Sequence, residues 1–276
     1  MGFAKYQEDI VSRFVHDHAV QSVAKVVVRQ AAIGSVHKKP KPESKTRTIK
    51  MSTLKSFVAN TARPLPVIVL ADTSGSMGDN GKIEALNQAL REMIRSFATE
   101  SRVRAEIQVG IITFSGTSAD VHLPLTPAHQ ILETKTMIAR GKTPMGAAFD
   151  AVRTLLEDRD LIPARAYRPA LVLISDGLPN DDWEPPLSRL QSSERAKKAT
   201  RFAMSIGDDA NDEMLSKFLN DKEAPLFKTH EARDIHRFFK AITMSVTSRT
   251  SSANPDITSG INLSELPDGD ELDLDF

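Results

Sequence analysis

Three oxygen-bearing side chains follow one apolar run in this sequence, in an arrangement suited to holding a cation. Val67 to Ala71 carries no polar side chain, and Asp72, Ser74 and Ser76 come next at a spacing of two. An extended backbone places alternate side chains on the same side, so we expect all three to face one way. Oxygen ligands without His or Cys suit magnesium, manganese or calcium rather than zinc. The pattern therefore predicts a site for a hard divalent cation at the end of a strand.

A second apolar run ends in the same way. Ala170 to Ile174 is followed directly by Ser175, Asp176 and Gly177. In open α/β sheets, ligands bind outside the carboxyl ends of the strands, near the point where the strand order reverses. Thr143, in a loop that opens a predicted helix, would bring a further hydroxyl to the same rim. The predicted metal site consists of Asp72, Ser74, Ser76, Thr143 and Asp176.

Strand-like and helix-like segments alternate from about Pro66 onward, which predicts βαβ units and a mostly parallel sheet. Apolar runs and helical spacing set the elements. We predict Thr143 as the cap of the second helix, with Pro144 at its first position. The predicted strands are 67–71, 107–114, 170–174, 202–206 and 226–228, with a weaker edge strand at 121–125, and the predicted helices are 82–99, 146–158, 211–219 and 234–246.

These residues resemble the von Willebrand factor A domain and its metal-ion-dependent adhesion site. Asp72-Thr73-Ser74-Gly75-Ser76 matches the Asp-x-Ser-x-Ser strand end of that family. Thr143 matches its lone threonine, and Ser175-Asp176-Gly177 matches its second aspartate and the following glycine. The resemblance covers about residues 63 to 249. It implies a Rossmann-like α/β fold, with a mostly parallel central sheet and helices on both faces.

Three further segments are most similar to the bacterial tellurium-resistance type of this family. They are the Met77-Gly78 exit, the loop from Gly141 to Gly146, and Phe238-Phe239-Lys240 in the last predicted helix. The resemblance implies a bacterial stress or defence setting, in which such domains accompany kinase- or phosphatase-like proteins. An AAA+ ATPase is the other partner for which the family has a precedent.

The expected function of the five residues is recognition. We expect Ser74 and Ser76 to coordinate the metal directly, and Asp72 and Asp176 to bind it directly or through water. The resemblance implies that Thr143 joins when a ligand is bound. Neutral hydroxyls donate weakly, so the cation keeps much of its charge and attracts an Asp or Glu carboxylate of a partner protein. We therefore predict a protein-interaction module that depends on a divalent metal, with magnesium as the first choice, and not an enzyme.

A metal-dependent hydrolase or phosphatase that uses Asp72 is the enzymatic alternative. An Asp at the end of a first parallel strand also serves phosphotransferases that form an aspartyl-phosphate. Such an enzyme, resembling the haloacid dehalogenases, would want a second acid two residues on, where this sequence has Ser74. The Gly-x-Ser-x-Gly elbow of serine hydrolases is missing here. A P-loop is missing too, because Thr136 stands where its first glycine is needed.

The net charge of zero conceals two oppositely charged ends. Residues 1–62 carry eleven Lys or Arg and four acids, a balance of +7, whereas residues 250–276 carry seven acids and no Lys or Arg. A contact of residues 37–50 with nucleic acid is an alternative function, although no aromatic side chain is interleaved there to stack on bases. We divide the chain into an extension at 1–36 with a helical pattern, a basic linker at 37–62, a von Willebrand factor A domain at 63–249 and an acidic flexible tail at 250–276.

Two further places are candidates for partner contacts. In the tail, Leu272, Leu274 and Phe276 alternate with acids, so the segment is a docking peptide, an autoinhibitor of the metal site, or plain disorder. Trp183 is either an interface anchor or a packing residue. The chain has no Cys and no apolar stretch long enough to cross a bilayer, which predicts a cytoplasmic protein without a membrane partner.

Overall fold

A computed structural model describes residues 62–256 except Ser101 and Lys222. Its strands are β1 Arg63–Asp72, β2 Ala105–Ser115, β3 Ser118–Pro127, β4 Ala170–Ser175, β5 Thr200–Ile206 and β6 Leu226–Thr229. They form one sheet in the order β3-β2-β1-β4-β5-β6. Neighbouring strands pair in parallel, except that β3 runs antiparallel to β2. The mostly parallel sheet predicted from the sequence is confirmed.

Helices cover both faces of this sheet. They are α1 Lys82–Thr99, α2 Met145–Glu157, α3 Glu184–Ser192, α4 Asp212–Leu219 and α5 Arg233–Ser251. Alternate residues of β1 face opposite ways, so Val67 and Val69 pack in the cluster with α1 and α5. Ile68 and Leu70 pack in the cluster with α2, α3 and α4. A central strand buried on both faces needs apolar residues at every position, which is why this run has no alternation.

One helix and one cap differ from the prediction. Helix α3 was not predicted from the sequence. Pro185 and Pro186 lie in its first turn, where backbone N–H groups have no partner within the helix. The prediction of Thr143 as the cap of α2 was wrong. Pro144 occupies the cap position and the helix begins at Met145, with no hydrogen bond from the side chain of the cap residue.

The strand order reverses between β1 and β4. From this central pair, β2 and β3 lie on one side and β5 and β6 on the other. The carboxyl ends of β1 and β4 are therefore adjacent at the switch point, where an open α/β sheet leaves a crevice for a ligand. Asp72 ends β1, and Asp176 directly follows β4.

Several predictions concern residues outside the described part of the chain. These are the extension at 1–36, nearly all of the linker at 37–62, and the tail anchors Leu272, Leu274 and Phe276. The proposed domain boundaries also stay predictions. Within residues 62–256, none of the described helices combines the length and the apolar character that crossing a membrane requires.

Candidate metal centre

The carboxylate of Asp72 is buried and held at both oxygens. Asp72 as a whole is 0% exposed to solvent. The backbone N–H of Ser74 donates to Oδ1 at 2.8 Å, and Ser175 Oγ donates to Oδ2 at 2.6 Å. The first bond turns the chain sharply after β1, and the second ties the end of β1 to the end of β4. Asp72 thus fixes the backbone that carries the serine hydroxyls.

The other predicted ligands lie around the same point. Ser74 Oγ and Ser76 Oγ are 3.1 Å apart, and Ser76 Oγ donates to Asp176 Oδ1 at 2.8 Å. A methyl group added at Gly177 would lie 3.3 Å from Thr143 Oγ1 and 3.7 Å from Ser76 Oγ. Both hydroxyls therefore border the small space beside Gly177. The structure brings all five predicted residues together.

The loop before Thr143 lies against the loop that follows β1 and the turn between β2 and β3, and backbone hydrogen bonds hold it there. The N–H of Arg140 donates to Thr73 O at 2.8 Å, and the N–H of Gly75 donates to Gly141 O at 2.9 Å. Gly141 has a φ of +76°, and a Cβ there would lie 2.8 Å from the backbone N of Gly116. Only glycine meets both demands, so Gly141 permits the close approach that delivers Thr143 to the site.

Asp181 is a residue that the sequence reasoning missed. Its carboxylate accepts from the N–H of Gly146 at 2.9 Å and from the N–H of Ala147 at 3.1 Å. These are unpaired donors of the first turn of α2, so Asp181 supplies the cap from a distant loop. The N–H of Asn180 also donates to Thr143 O at 3.0 Å. The loop after β4 and the start of α2 are thereby joined.

Lys82 is the second missed residue. Its Nζ lies 2.7 Å from Asp176 Oδ2, with the Lys82 side chain 14% exposed and the Asp176 side chain 0% exposed. The same ammonium donates to Ser76 O at 3.4 Å. A sequence signal did exist: Lys82 stands at the first position of a helix, where acids are the favoured charge.

The electrostatics of Asp72 favour a cation. Burial is the main cause that raises its pKa from 3.8 to about 6, and the negative charge of Asp176 adds to it. Hydrogen bonds from Ser175 and Ser74 act in the opposite direction and lower this pKa. Desolvation disfavours the ionised form of a buried carboxyl group, and a nearby positive charge restores it. A bound cation would relieve this cost.

The donor set fits a hard divalent cation. It consists of three hydroxyl oxygens and two carboxylates. Among the residues that the structure describes, no group of three or more His, Cys, Asp or Glu is placed to hold a metal. A metal at this point would therefore depend on the serine and threonine hydroxyls, and oxygen-only ligation suits magnesium, manganese or calcium.

Two apolar side chains lie on the segment that follows Asp176. Trp183 is half-buried and packs against the cluster with α2, α3 and α4, and Lys217 Nζ lies 5.2 Å from the centre of its ring. This supports the packing role of the two predicted for Trp183. Leu178, which the sequence reasoning missed, directly follows Gly177 and is 66% exposed. It provides apolar surface beside the site.

Residues 67–178 match a family model described as von Willebrand factor type A domain, and all five predicted ligands fall within that range. No curated protein sequence matches the chain. Among solved structures, proximal thread matrix protein 1 from the mussel byssus is similar at 17% identity and a TM-score of 0.54, over 68% of this chain and 49% of that one. The chain therefore spans about half the length of the mussel protein.

Two other solved structures show the same likeness. One is the mussel protein with a zinc-occupied MIDAS motif, at 18% identity and a TM-score of 0.54, over 68% of this chain and 48% of that chain. The other is a von Willebrand factor type A protein from Catenulispora acidiphila, at 18% identity and a TM-score of 0.51, over 67% and 42%. At these identities the likeness establishes the fold.

Proposed function

We propose that the chain carries a von Willebrand factor type A domain, whose family model residues 67–178 match, and that this domain is a protein-interaction module that depends on a divalent metal. The observation that carries the proposal is the convergence of Ser74, Ser76, Asp176 and Thr143 beside Gly177, with Asp72 fixing the loop between β1 and α1. Hydroxyls from two loops and carboxylates from two strand ends meet at the topological switch point.

In this proposal, the hydroxyls of Ser74, Ser76 and Thr143 hold the metal, and Asp72 and Asp176 bind it directly or through water. When bound, the metal supplies a positive charge, and its neutral hydroxyl ligands offset little of that charge. The charge attracts an Asp or Glu carboxylate of the partner. We propose magnesium, with manganese or calcium as the alternatives. The zinc-occupied motif of the mussel protein is a precedent for a divalent cation in this fold.

The surroundings of Asp72 support recognition over hydrolysis. A carboxylate nucleophile needs an oxygen that faces its substrate. Both oxygens of Asp72 accept hydrogen bonds, and the residue is fully buried. Asp72 is therefore placed to orient the loop that carries Ser74 and Ser76, and we propose no catalytic role for it.

We further propose a bacterial cytoplasmic stress or defence setting for this module. The similarity of Met77-Gly78, the 141–146 loop and Phe238-Phe239-Lys240 to the tellurium-resistance type supports it. Kinase- or phosphatase-like proteins or an AAA+ ATPase are then the partners to look for first.

A capture experiment with the tagged full chain tests the function. Partners captured in the presence of Mg²⁺ should be lost with a chelator, and lost with Asp72→Ala and Ser76→Ala. Ser188→Ala removes an exposed hydroxyl of α3 and serves as the matched control that keeps its partners. Two variants are used because Asp72→Ala alone removes a buried hydrogen-bond acceptor and lowers stability.

Partners that survive both the chelator and both site variants would rule out metal-bridged recognition. Phosphatase or esterase turnover of the purified chain that disappears with Asp72→Ala would instead establish the enzymatic alternative.

A further inference from the structure

The side-chain ammonium of Lys82 lies inside the candidate metal centre. Its Nζ lies 2.7 Å from Asp176 Oδ2 and 3.4 Å from Ser76 O. The side chain is 14% exposed, and the Asp176 carboxylate that it contacts is fully shielded from solvent. An ordinary surface lysine keeps its ammonium in water, whereas this one is turned toward two residues of the proposed ligand set.

The position of Lys82 in its helix does not explain this placement. It is the first residue of α1 and follows Gly81, which contributes no side-chain cap. The N-terminus of a helix is the positive end of its dipole, so a cation there is repelled. The contact with Asp176 overcomes that repulsion and holds Lys82 at the site.

The charges of the site show what Lys82 changes. The formal charges of the Asp72 and Asp176 carboxylates offset those of one divalent cation, so the loaded centre is formally neutral without Lys82, with the positive charge localised on the metal and the negative charge on the two acids. With Lys82 it carries one net positive charge. The ammonium repels the metal and competes with it for Asp176, and both effects weaken metal binding. The same charge attracts any carboxylate that approaches the loaded centre.

We propose that Lys82 lowers the affinity of the centre for its metal and raises the affinity of the loaded centre for an acidic partner segment. This inference rests on the proposed function and names the chemistry of the partner. Arg140 and Lys142 are exposed on the loop that leads to Thr143, so positive charge continues along the rim. A single carboxylate can pair only with the metal. A run of acidic residues can pair with the metal and also with the positive charges of Lys82 and of this loop. The partner is therefore an acidic segment.

Calorimetric titration of the full chain tests both halves. In the first titration, MnCl₂ or MgCl₂ is added to the wild type, Lys82→Gln, Lys82→Arg and the control Lys240→Gln, which removes an exposed charge from α5. We expect Lys82→Gln to bind metal about 10-fold more tightly, because one unit of repulsion at short range is gone. Lys82→Arg and Lys240→Gln should remain close to the wild type.

In the second titration, a tetra-aspartate peptide is added to each protein at saturating metal. Lys82→Gln should bind this probe about 10-fold more weakly than the wild type, although its metal site is full. These opposite shifts are the signature of the proposal. If Lys82 had only a structural role, Lys82→Gln would lower the affinity for both the metal and the peptide, and it would lower the melting temperature.

The outcomes separate this inference from the proposed function. If the wild type binds metal and Lys82→Gln binds it equally or more weakly, the proposed role of Lys82 is wrong, whereas the proposed metal site is retained. Peptide binding unchanged in Lys82→Gln also overturns it. If neither the wild type nor Lys82→Gln binds either metal, the proposed function fails and this inference fails with it.

Discussion

Asp72 and Asp176 occupy equivalent positions at the ends of two adjacent strands, yet their environments are opposite. Asp72 accepts hydrogen bonds from a neutral N–H and a neutral hydroxyl, and burial raises its pKa to about 6. Asp176 accepts from Ser76 and is paired with the ammonium of Lys82. Within the part of the chain that the structure describes, Asp72 has no ion-pair partner, whereas Asp176 is paired with Lys82.

This difference assigns different roles to the two residues. Asp72 holds a negative charge at a cost, so it is the one that a cation stabilises most. Asp176 is compensated by the protein itself, so it connects the site to helix α1. The sequence presents both as an Asp after an apolar strand. Variants that remove one charge at a time will show whether the two carboxylates are as unlike as their surroundings.

The largest effect is expected from Asp72→Asn. Metal affinity should fall by about 100-fold or more, the upper end of what removing a supporting group costs a metal site. The metal-free protein should become about 2 kcal/mol more stable at pH 7, because a buried, uncompensated charge is replaced by a neutral amide. Calorimetry and chemical denaturation measure the two. Asp160→Asn, which changes an exposed acid, is the control, and a destabilised Asp72→Asn would contradict the comparison.

Lowering the pH should reproduce the effect of Asp72→Asn reversibly. The folded pKa of Asp72 is raised from 3.8 to about 6, so the native state takes up a proton between these values and the unfolded state does not. Stability of the metal-free protein from this group therefore increases as the pH falls through about 6, by up to about 3 kcal/mol at pH values below 3.8.

Metal affinity should change in the opposite direction and decline toward tenfold per pH unit below about 6, since the proton and the metal compete for Asp72. Parallel titrations of the wild type and Asp72→Asn isolate this group from the other acids. Equal pH profiles in the two proteins would refute its raised pKa.

Asp176→Asn should change stability in the opposite sense to Asp72→Asn. The substitution leaves the poorly exposed ammonium of Lys82 without its carboxylate, which should cost the metal-free protein about 2 kcal/mol. The double variant Asp176→Asn with Lys82→Gln should recover part of that loss, because no unpaired charge remains. Urea denaturation of the two single variants and the double variant measures the coupling. Strict additivity would mean that the pair contributes nothing.

The smallest effect is expected from Asp181→Ala, which touches neither carboxylate directly. Loss of the two hydrogen bonds to the first turn of α2 should cost about 1 kcal/mol. Metal affinity should fall by only about threefold, since Thr143 is positioned less firmly. Asp182→Ala is the neighbouring control. A larger loss of metal affinity from Asp181→Ala than from Asp176→Asn would contradict this prediction, because Asp181 would then contribute more to metal binding than Asp176.

Much of the fold was predictable because the information is local. The unbroken apolar runs of β1 and β4 and the helical spacing of 82–99 indicate their structures residue by residue. The five candidate ligands could be located from the sequence because each lies where a strand or loop ends. Helix α3 is harder to predict for a local reason as well, since Pro185-Pro186 is compatible with a helix only in its first turn.

The contacts that distinguish Asp72 from Asp176 were not predictable. Lys82 meets Asp176 across 94 positions of sequence, and Asp181 meets Gly146 across 35. No periodicity or spacing in the chain encodes such pairs, because they arise only when the sheet order brings the loops together. The charge balance of the site follows from these distant contacts.

The bridge from Asp181 to the start of α2 also determines where a binding event can be reported. Thr143 and the loop that carries Asp176 are held together through Asn180 and Asp181. A partner that displaces either loop must move both, and α2 is in direct continuity with Thr143. Because α2 packs with α3 on one face of the sheet, we expect the signal of an occupied site to emerge on that face, away from α1 and α5.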